Sequence, residues 1–334
     1  MSCRRLSRIA VVLPLACFVT NAASQHDAKA AVATAADYPR KPIRIIIGFT
    51  PGGGPDITAR YLAQKLTESL KQQVIVDNRP GAGGTVGANL VATANPDGYT
   101  LLSVSSAHAV SPAIYAKLPY DTVKDLSGIT QTAVSKYLLV AAPSLGAKTL
   151  KDFLAAAKAK PGNLNFSSAG VGSGSHFAAE QFKAAAAINI VHVPFKGIPE
   201  ALTETISGRV HLFMAPIANA LNMVKEGRVI GLGVSSAQRD ALLPDMPSLA
   251  EAGLPGFRAD LWFGLLTSSQ APKSIVNKLN GEIRRILSDT DVKQRWQPIG
   301  LEPKPTTPGE FDKIVMDEIA VFSKIARAAN IKAD

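Results

Sequence analysis

The sequence predicts an α/β fold built from two blocks that face a common cleft, and three observations predict it. Apolar, β-branched runs alternate with amphipathic helical stretches at the spacing of βαβ units. That alternation starts over near residues 129–140. Each block also carries one glycine-rich junction between a strand and a helix: Pro51-Gly52-Gly53-Gly54-Pro55-Asp56 in the first, Ala169-Gly170-Val171-Gly172-Ser173-Gly174 in the second.

The first block opens on Ile43, Ile45, Ile46 and Ile47, a run that reads as a buried parallel strand. It ends in Phe49 and Thr50, and Ile57, Tyr61, Leu62 and Leu66 then share one helical face. Three consecutive glycines at this junction leave the backbone bare, so its N–H groups can close on a ligand. The helix N-terminus that follows adds unpaired donors and partial positive charge, which suits a carboxylate or a phosphate. Asp56 is placed to cap the same helix. Residues 73–76 form a second strand, residues 81–87 lead into a helix through Ala88, Leu90 and Val91, and Asn95-Pro96-Asp97-Gly98 marks a turn. A third strand over residues 99–104 opens into Ser105, Ser106, Ala107 and His108.

In the second block, residues 137–140 read as a strand and residues 150–160 as a helix closed by Pro161-Gly162. Residues 165–168 run into the second glycine loop, with His176 at the head of a helix reaching about Ala187. Further strands are expected at 190–193, 210–214 and 229–234, with Pro194, Phe195, Lys196 and Gly197 leading into a helix through Leu202 and Ile206. From Pro272 onward the chain is helical, over 275–287 and 308–329, and is expected to pack back on the first block. Two α/β blocks that each present a glycine loop imply a ligand cleft between them.

With 334 residues, 46% hydrophobic and 19% charged, the chain has the composition of a folded protein of about two domains, which excludes disorder. Residues 1–23 read as a secretory signal peptide: Arg4, Arg5 and Arg8 precede an apolar core over 9–19, and small residues follow. A core of about 11 residues is too short to span a bilayer, which takes ~20. The mature start is expected between residues 23 and 37, after which 25–36 is a small, polar linker. Both cysteines, Cys3 and Cys17, fall in the leader, so the mature chain has no disulfide, thiol nucleophile or thiolate ligand. Leu13-Pro14-Leu15-Ala16 before Cys17 fits a lipoprotein signal poorly, which favours a soluble exported protein. Loss of the three leader arginines lowers the formal charge from +10 to +7, a sign that suits small anions. No basic run with interleaved aromatics points to nucleic acid.

Motif by motif, catalysis finds little support. Gly81-Ala82-Gly83-Gly84-Thr85-Val86-Gly87 has the spacing G-x-G-x-x-x-G, and no acid follows at a strand end to hold a ribose, so it reads as a helix-entry turn. No Walker A loop, G-x-S-x-G elbow or H-E-x-x-H pair occurs. His192, alternating with Val191 and Val193, reads as a structural histidine; His176, beside the second loop, is the better candidate for a ligand contact. Ser105, Ser106, Ser168, Ser173 and Ser175 fall at strand ends or in loops, where hydroxyls suit carboxylate recognition or helix capping alike. Lys196 is placed to supply charge at the cleft rim.

An ordered set of motifs carries a resemblance over the whole mature chain. It comprises Tyr38-Pro39; Pro51-Gly52-Gly53-Gly54-Pro55-Asp56-Ile57-Thr58-Ala59-Arg60; Val76-Asp77-Asn78-Arg79-Pro80-Gly81; Pro96-Asp97-Gly98-Tyr99; and Leu118-Pro119-Tyr120-Asp121. Ser168-Ala169-Gly170-Val171-Gly172-Ser173, His192-Val193-Pro194-Phe195-Lys196-Gly197, Leu243-Pro244-Asp245-Met246-Pro247 and Glu251-Ala252-Gly253-Leu254-Pro255-Gly256 complete it. The chain resembles the Bug family, the extracytoplasmic solute receptors of tripartite tricarboxylate transporters. The resemblance implies a type II periplasmic-binding-protein fold, two Rossmann-like lobes joined by two crossovers. Lobe 1 is expected over 37–135 and 256–334, and lobe 2 over 136–255.

In that family, the loops matching 50–56 and 169–173 contact a ligand carboxylate. The implied ligand set is Phe49, Thr50, Gly52, Gly53, Gly54 and Asp56 from the first loop, and Ala169, Gly170, Gly172 and Ser173 from the second. Ser106 and His108 after the third strand, with His176, Phe195 and Ala215, complete it. Many members carry an aspartate where this chain has Ala215, and another where it has His211. Ala215 therefore implies a carboxylate without an α-amino group, while His211 is expected to point away from the cleft. The expected protein is a periplasmic, monomeric receptor that passes a small carboxylate to membrane transporter subunits, with no cofactor, no metal and no nucleic acid. A secreted serine esterase and a receptor acting as a sensor partner are the alternatives.

Overall fold

The computed structural model describes residues 37–333, so the leader, both cysteines and the expected cleavage region lie outside the described residues. The first half begins with β1 (Ile43–Ile47), α1 (Gly54–Leu70), β2 (Val74–Asn78), α2 (Thr85–Ala92), β3 (Thr100–Ser105) and α3 (Ala107–Ile114). β1 pairs in parallel with β2 (Ile45 opposite Val76) and with β3 (Ile45 opposite Leu101), as buried β-branched runs flanked by helices require. The glycine-rich turn at 82–84 is a single 3-10 turn leading into α2, a helix entry as its spacing suggests. Its glycines serve close packing: a side chain on Gly48 or Gly87 would collide with the backbone of the other segment.

β4 (Leu126–Ala141) is the element that joins the halves. It is one continuous strand of 16 residues, although the sequence suggests a strand only over its last third and a lobe boundary at 135–136. The second half continues with α4 (Leu150–Ala159), β5 (Asn165–Ser168), α5 (Gly174–Ala186), β6 (Val191–Pro194), α6 (Ile198–Ile206), β7 (Leu212–Pro216), α7 (Ile217–Lys225) and β8 (Ile230–Val234). β5 pairs in parallel with β6 and β7, and the last five residues of β4 run antiparallel to β7 and β8. The chain then returns through residues 235–259 to β9 (Asp260–Ser268), and closes with α8 (Lys273–Leu287), α9 (Thr290–Trp296), β10 (Glu302–Pro303) and α10 (Pro308–Ala328).

Among the described residues the strand order is β2-β1-β3-β9-β4-β7-β5-β6, with β8 and β10 paired to β4. Each wing is parallel, but the centre is antiparallel: β9 lies between β3 and β4 and opposes both. The two crossovers are thus β4 and the 235–259 return. As expected, α8 and α10 pack on the first half, α8 on α1 and β4, α10 on α3 and β4. α10 also reaches α5 in the second half, where the Phe322 and Phe177 rings meet edge to face at 5.4 Å.

Two capping boxes show local sequence deciding helix starts. Thr149 accepts from Asp152 N–H at the head of α4, and Thr307 from Glu310 N–H at the head of α10, each with the reciprocal carboxylate bond.

Candidate functional site

A cavity of about 50 Å³ lies between the halves. Its walls are mainly helix beginnings. Gly53, Gly54 and Pro55 open α1; Ser173, Gly174 and Ser175 open α5; Gly197 and Ile198 open α6; Pro216 precedes α7. First-turn N–H groups have no carbonyl one turn back to bond, so α1, α5 and α6 present unpaired donors at this space, while the start of α7, entered through Pro216 with no N–H of its own, adds partial positive charge alone. The rest of the wall is mostly apolar, with Phe49, Tyr137, Leu261 and Phe263 among it, and none of the lining side chains is charged. Such a site suits an anion whose charge is met by backbone dipoles and whose carbon skeleton is met by hydrocarbon.

The first loop is held rigidly from behind. Asp56 does not line the cavity; its carboxylate accepts from Gly52 N–H at 3.1 Å, Asn78 Nδ2 at 3.0 Å and Arg60 Nε at 2.9 Å. Burial opposes ionisation of Asp56, but the hydrogen bonds from Arg60, Gly52 and Asn78 prevail and hold its carboxyl below the ordinary carboxylate range. Gly54 has no room for a side chain, because a Cβ there would enter the ring of buried Phe263. Gly54→Ala is expected to cost about 1–3 kcal/mol of stability through overpacking, read as a lower melting temperature.

The second loop is braced by a ring stack. His176 Nδ1 accepts from Gly172 N–H at 3.3 Å, and its ring lies on His192 at 3.8 Å between centroids. His192 stacks in turn on Phe166 and pairs with the Ser168 hydroxyl at 2.6 Å. Burial, reinforced by the fields of His192 and Lys183, lowers His176 to a pKa of about 3, while burial and Lys183 lower His192 to about 4. Both rings are neutral supports. Ser175 Oγ accepts from Ala169 N–H, and Ser173 caps α5 by accepting from His176 N–H.

Of the fifteen residues read from the sequence, Phe49, Thr50, Gly53, Gly54, Ala169 and Ser173 line the cavity. Gly52 is set back, its carbonyl accepting from Asn219 Nδ2 at 2.8 Å across the cleft. Gly170 and Gly172 shape the loop at φ +117° and +79°, and Gly170 N–H donates to Ser168 Oγ. His176 stands behind the loop. Ser106 faces a separate rear chamber, and His108 a small void behind Phe49, its Nε2 buried with no partner among the described residues. Phe195 packs on the apolar cluster of the second half, and Ala215 lies inside that cluster, one residue short of the cavity. His211 is bonded to Asn165 at the far end of its strand. The sequence reading missed Tyr137, Leu261 and Phe263 as cavity residues. Only strand pairing brings them there, and their apolar character carries no chemical signal.

The halves touch along the cleft. Besides Asn219–Gly52, the Thr50 side chain abuts Gly197, and Gly83 lies under the Val171 carbonyl, where a Cβ would sit at 2.8 Å. The structure is therefore a closed arrangement.

Comparison with known proteins agrees with this architecture. The profile of the tripartite tricarboxylate transporter family receptor matches residues 58–331. The chain is 33% identical over 307 residues to the protein BugT of Bordetella pertussis, covering 91% of this chain and 94% of that one. An R. palustris protein solved with adipate is 31% identical with a TM-score of 0.85, covering 89% of this chain and 99% of its own. MatC of Rhodopseudomonas palustris, solved with bound malate, is 32% identical with a TM-score of 0.82, covering 86% and 99%. The chain thus belongs to the tripartite tricarboxylate transporter receptor family, a family of solute-binding receptors rather than enzymes, and is similar in structure to the periplasmic binding protein BugD.

Proposed function

We propose that this receptor captures a small organic carboxylate by closing its lobes and delivers it to the membrane subunits of a tripartite tricarboxylate-type transporter. The observation that carries the reading is the convergence of four helix N-termini on a cavity with no charged side chain. A carboxylate entering that space gains N–H donors from both halves at once, and contacts made only in the closed state are what shift a two-state equilibrium toward closure. The relatives solved with adipate and with malate support the same ligand chemistry. In this reading the lobes meet near residues 136 and 256, and Phe49, Thr50, Gly53, Gly54, Ala169 and Ser173 form the carboxylate seat. Gly52, Asp56, Gly170, Gly172 and His176 hold its loops, and Ser106, His108, Phe195 and Ala215 stand outside it. The lack of any acidic lining residue favours acids without an α-amino group, since no side chain is present to pair with an ammonium.

The test is a thermal-shift screen of the mature protein against carboxylates, amino acids and neutral solutes. A ligand at 100 times its Kd adds about 2.7 kcal/mol of stability. Stabilisation by a carboxylic acid and not by its amino-acid analogue is the expected result. Stabilisation by amino acids alone, or by neutral solutes alone, overturns the ligand class.

A further inference from the structure

Behind the cavity lies a second chamber of about 320 Å³, lined by Ser106, Gln181, Arg258, Asp260 and Glu318 among others. The two spaces share two residues, Tyr137 and Gly174. Tyr137 is 2% exposed, and its hydroxyl stands where a Cβ on Gly174 would sit 2.5 Å from it and 3.1 Å from Ser106 Oγ. The phenol ring and the bare glycine thus stand in the partition, beside Ser106 and Leu261. Gly174 has no side chain to contribute, so the tyrosine side chain is the movable part of the wall.

The two spaces differ in character. The front cavity is uncharged and is the smaller of the two, about 50 Å³ against about 320 Å³. The rear chamber is polar. It presents Gln181 and the guanidinium of Arg258, which is anchored to Asp260 at 2.7 Å on a side chain 65% exposed to solvent. Glu318 on the same wall accepts a hydrogen bond from Trp262 Nε1.

We infer that Tyr137 is the length-determining residue of this receptor: it closes the cavity behind a short acid and keeps longer α,ω-diacids from reaching the rear chamber. The inference rests on the carboxylate reading above and narrows it. A longer diacid seated by its first carboxylate at the helix N-termini would drive its second end into the phenol ring. With the ring removed, that end enters a chamber where Gln181 and Arg258 supply donors for a second carboxylate.

The experiment is calorimetric titration of the full mature receptor with the diacid series from malonate to suberate, on wild type and on Tyr137→Leu and Tyr137→Ala. Wild type is expected to lose at least tenfold in affinity between succinate and adipate. In Tyr137→Leu, which keeps an apolar side chain in the wall and so protects folding, the adipate-to-succinate affinity ratio is expected to rise at least tenfold, and further in Tyr137→Ala. Wild type that binds adipate as tightly as succinate overturns the inference without any variant. So does a folded Tyr137→Leu, checked by its melting curve, whose ratio moves less than twofold. Binding of diacids with no length dependence sinks this inference alone, whereas no binding of any acid by wild type sinks the carboxylate reading and this one with it.

Discussion

Replacing Gly53 with aspartate will leave the receptor folded and cost it at least a hundredfold in affinity for its acid. Gly53 is the N-cap of α1 at φ −80°, ψ 167°, a conformation any residue adopts, and it makes no side-chain capping bond. A Cβ there meets nothing nearer than Pro55 Cδ at 3.8 Å. Aspartate is among the preferred N-cap residues, so stability should rise by a few tenths of a kcal/mol. Its carboxylate, however, occupies the donors the ligand needs and repels it. Two unit charges about 5 Å apart at an effective dielectric near 20 repel by about 3 kcal/mol, a factor of a few hundred in Kd. Gly53→Asn supplies the same shape without the charge and should lose less than tenfold. Titration of both variants with whichever acid stabilises wild type decides the matter: equal losses mean that shape, not helix-terminus electrostatics, governs the site.

Acid will unfold the protein over an unusually high window, and alkali will weaken it from the other side. His108, His176 and His192 are kept neutral in the native state, chiefly by burial, at about 4, 3 and 4. In the unfolded chain each takes its proton near 6.5. Their stabilisation is therefore complete above pH 6.5 and drains as pH falls toward 4, at roughly 1.4 kcal/mol per pH unit for each histidine. Glu318 works in the opposite direction. Burial, with the field of Asp260, raises it to about 8, so the native state keeps a proton that the unfolded chain sheds near 4.5, and stability is lost as pH rises from 4.5 to 8. Between 4.5 and 6.5 the three histidines outweigh the one glutamate by about two groups, a net loss on the order of 2–3 kcal/mol per pH unit on acidification. Above 6.5 only the Glu318 slope remains, and it falls toward alkali. Melting temperature should thus peak near pH 6.5. His192→Phe should flatten the acid limb and Glu318→Gln the alkaline one. A melting temperature that stays level from pH 6.5 to 4.5 would refute the assignment of these histidines as neutral supports.

Much of this fold was legible from periodicity, and the failures have physical causes. The parallel wings were read correctly because buried β-branched runs and amphipathic helices carry their own signal. The central strands were not. The first two thirds of β4 hold Thr130, Gln131, Thr132 and Ser135, all buried, which reads as loop. Several of their polar groups are satisfied from a distance: Thr130 Oγ1 donates to Thr306 O, Gln131 N–H to Thr306 Oγ1 and Ser135 Oγ to Gly300 O, while Thr132 Oγ1 is buried with no partner among the described residues. β9 was missed because Gly264 interrupts it, yet that glycine is where the Phe311 ring lies against the strand. α3 carries Pro112 in its interior, which argues against a helix when neighbours are unknown. In the site, glycine loops announce themselves because unusual backbone requires unusual residues. Tyr137, Leu261 and Phe263 had no such signature, and His176 reads as a ligand contact because nothing local reveals that His192 covers its ring.

The path of β4 and β9 through the centre also bears on the order of assembly. Everything the second wing pairs with lies in one contiguous stretch, residues 137–234, so it can form from chain that is already present. The first wing is different: β3 at 100–105 acquires its inner neighbour only when β9 arrives at 260–268, and α10 closes over α3 last of all. Contacts of such long sequence separation form late because loop closure must be met before they stabilise anything. A chain emerging from its N-terminus therefore completes its second wing before its first, and the cavity, whose walls come from both, comes into being only once β9 is in place.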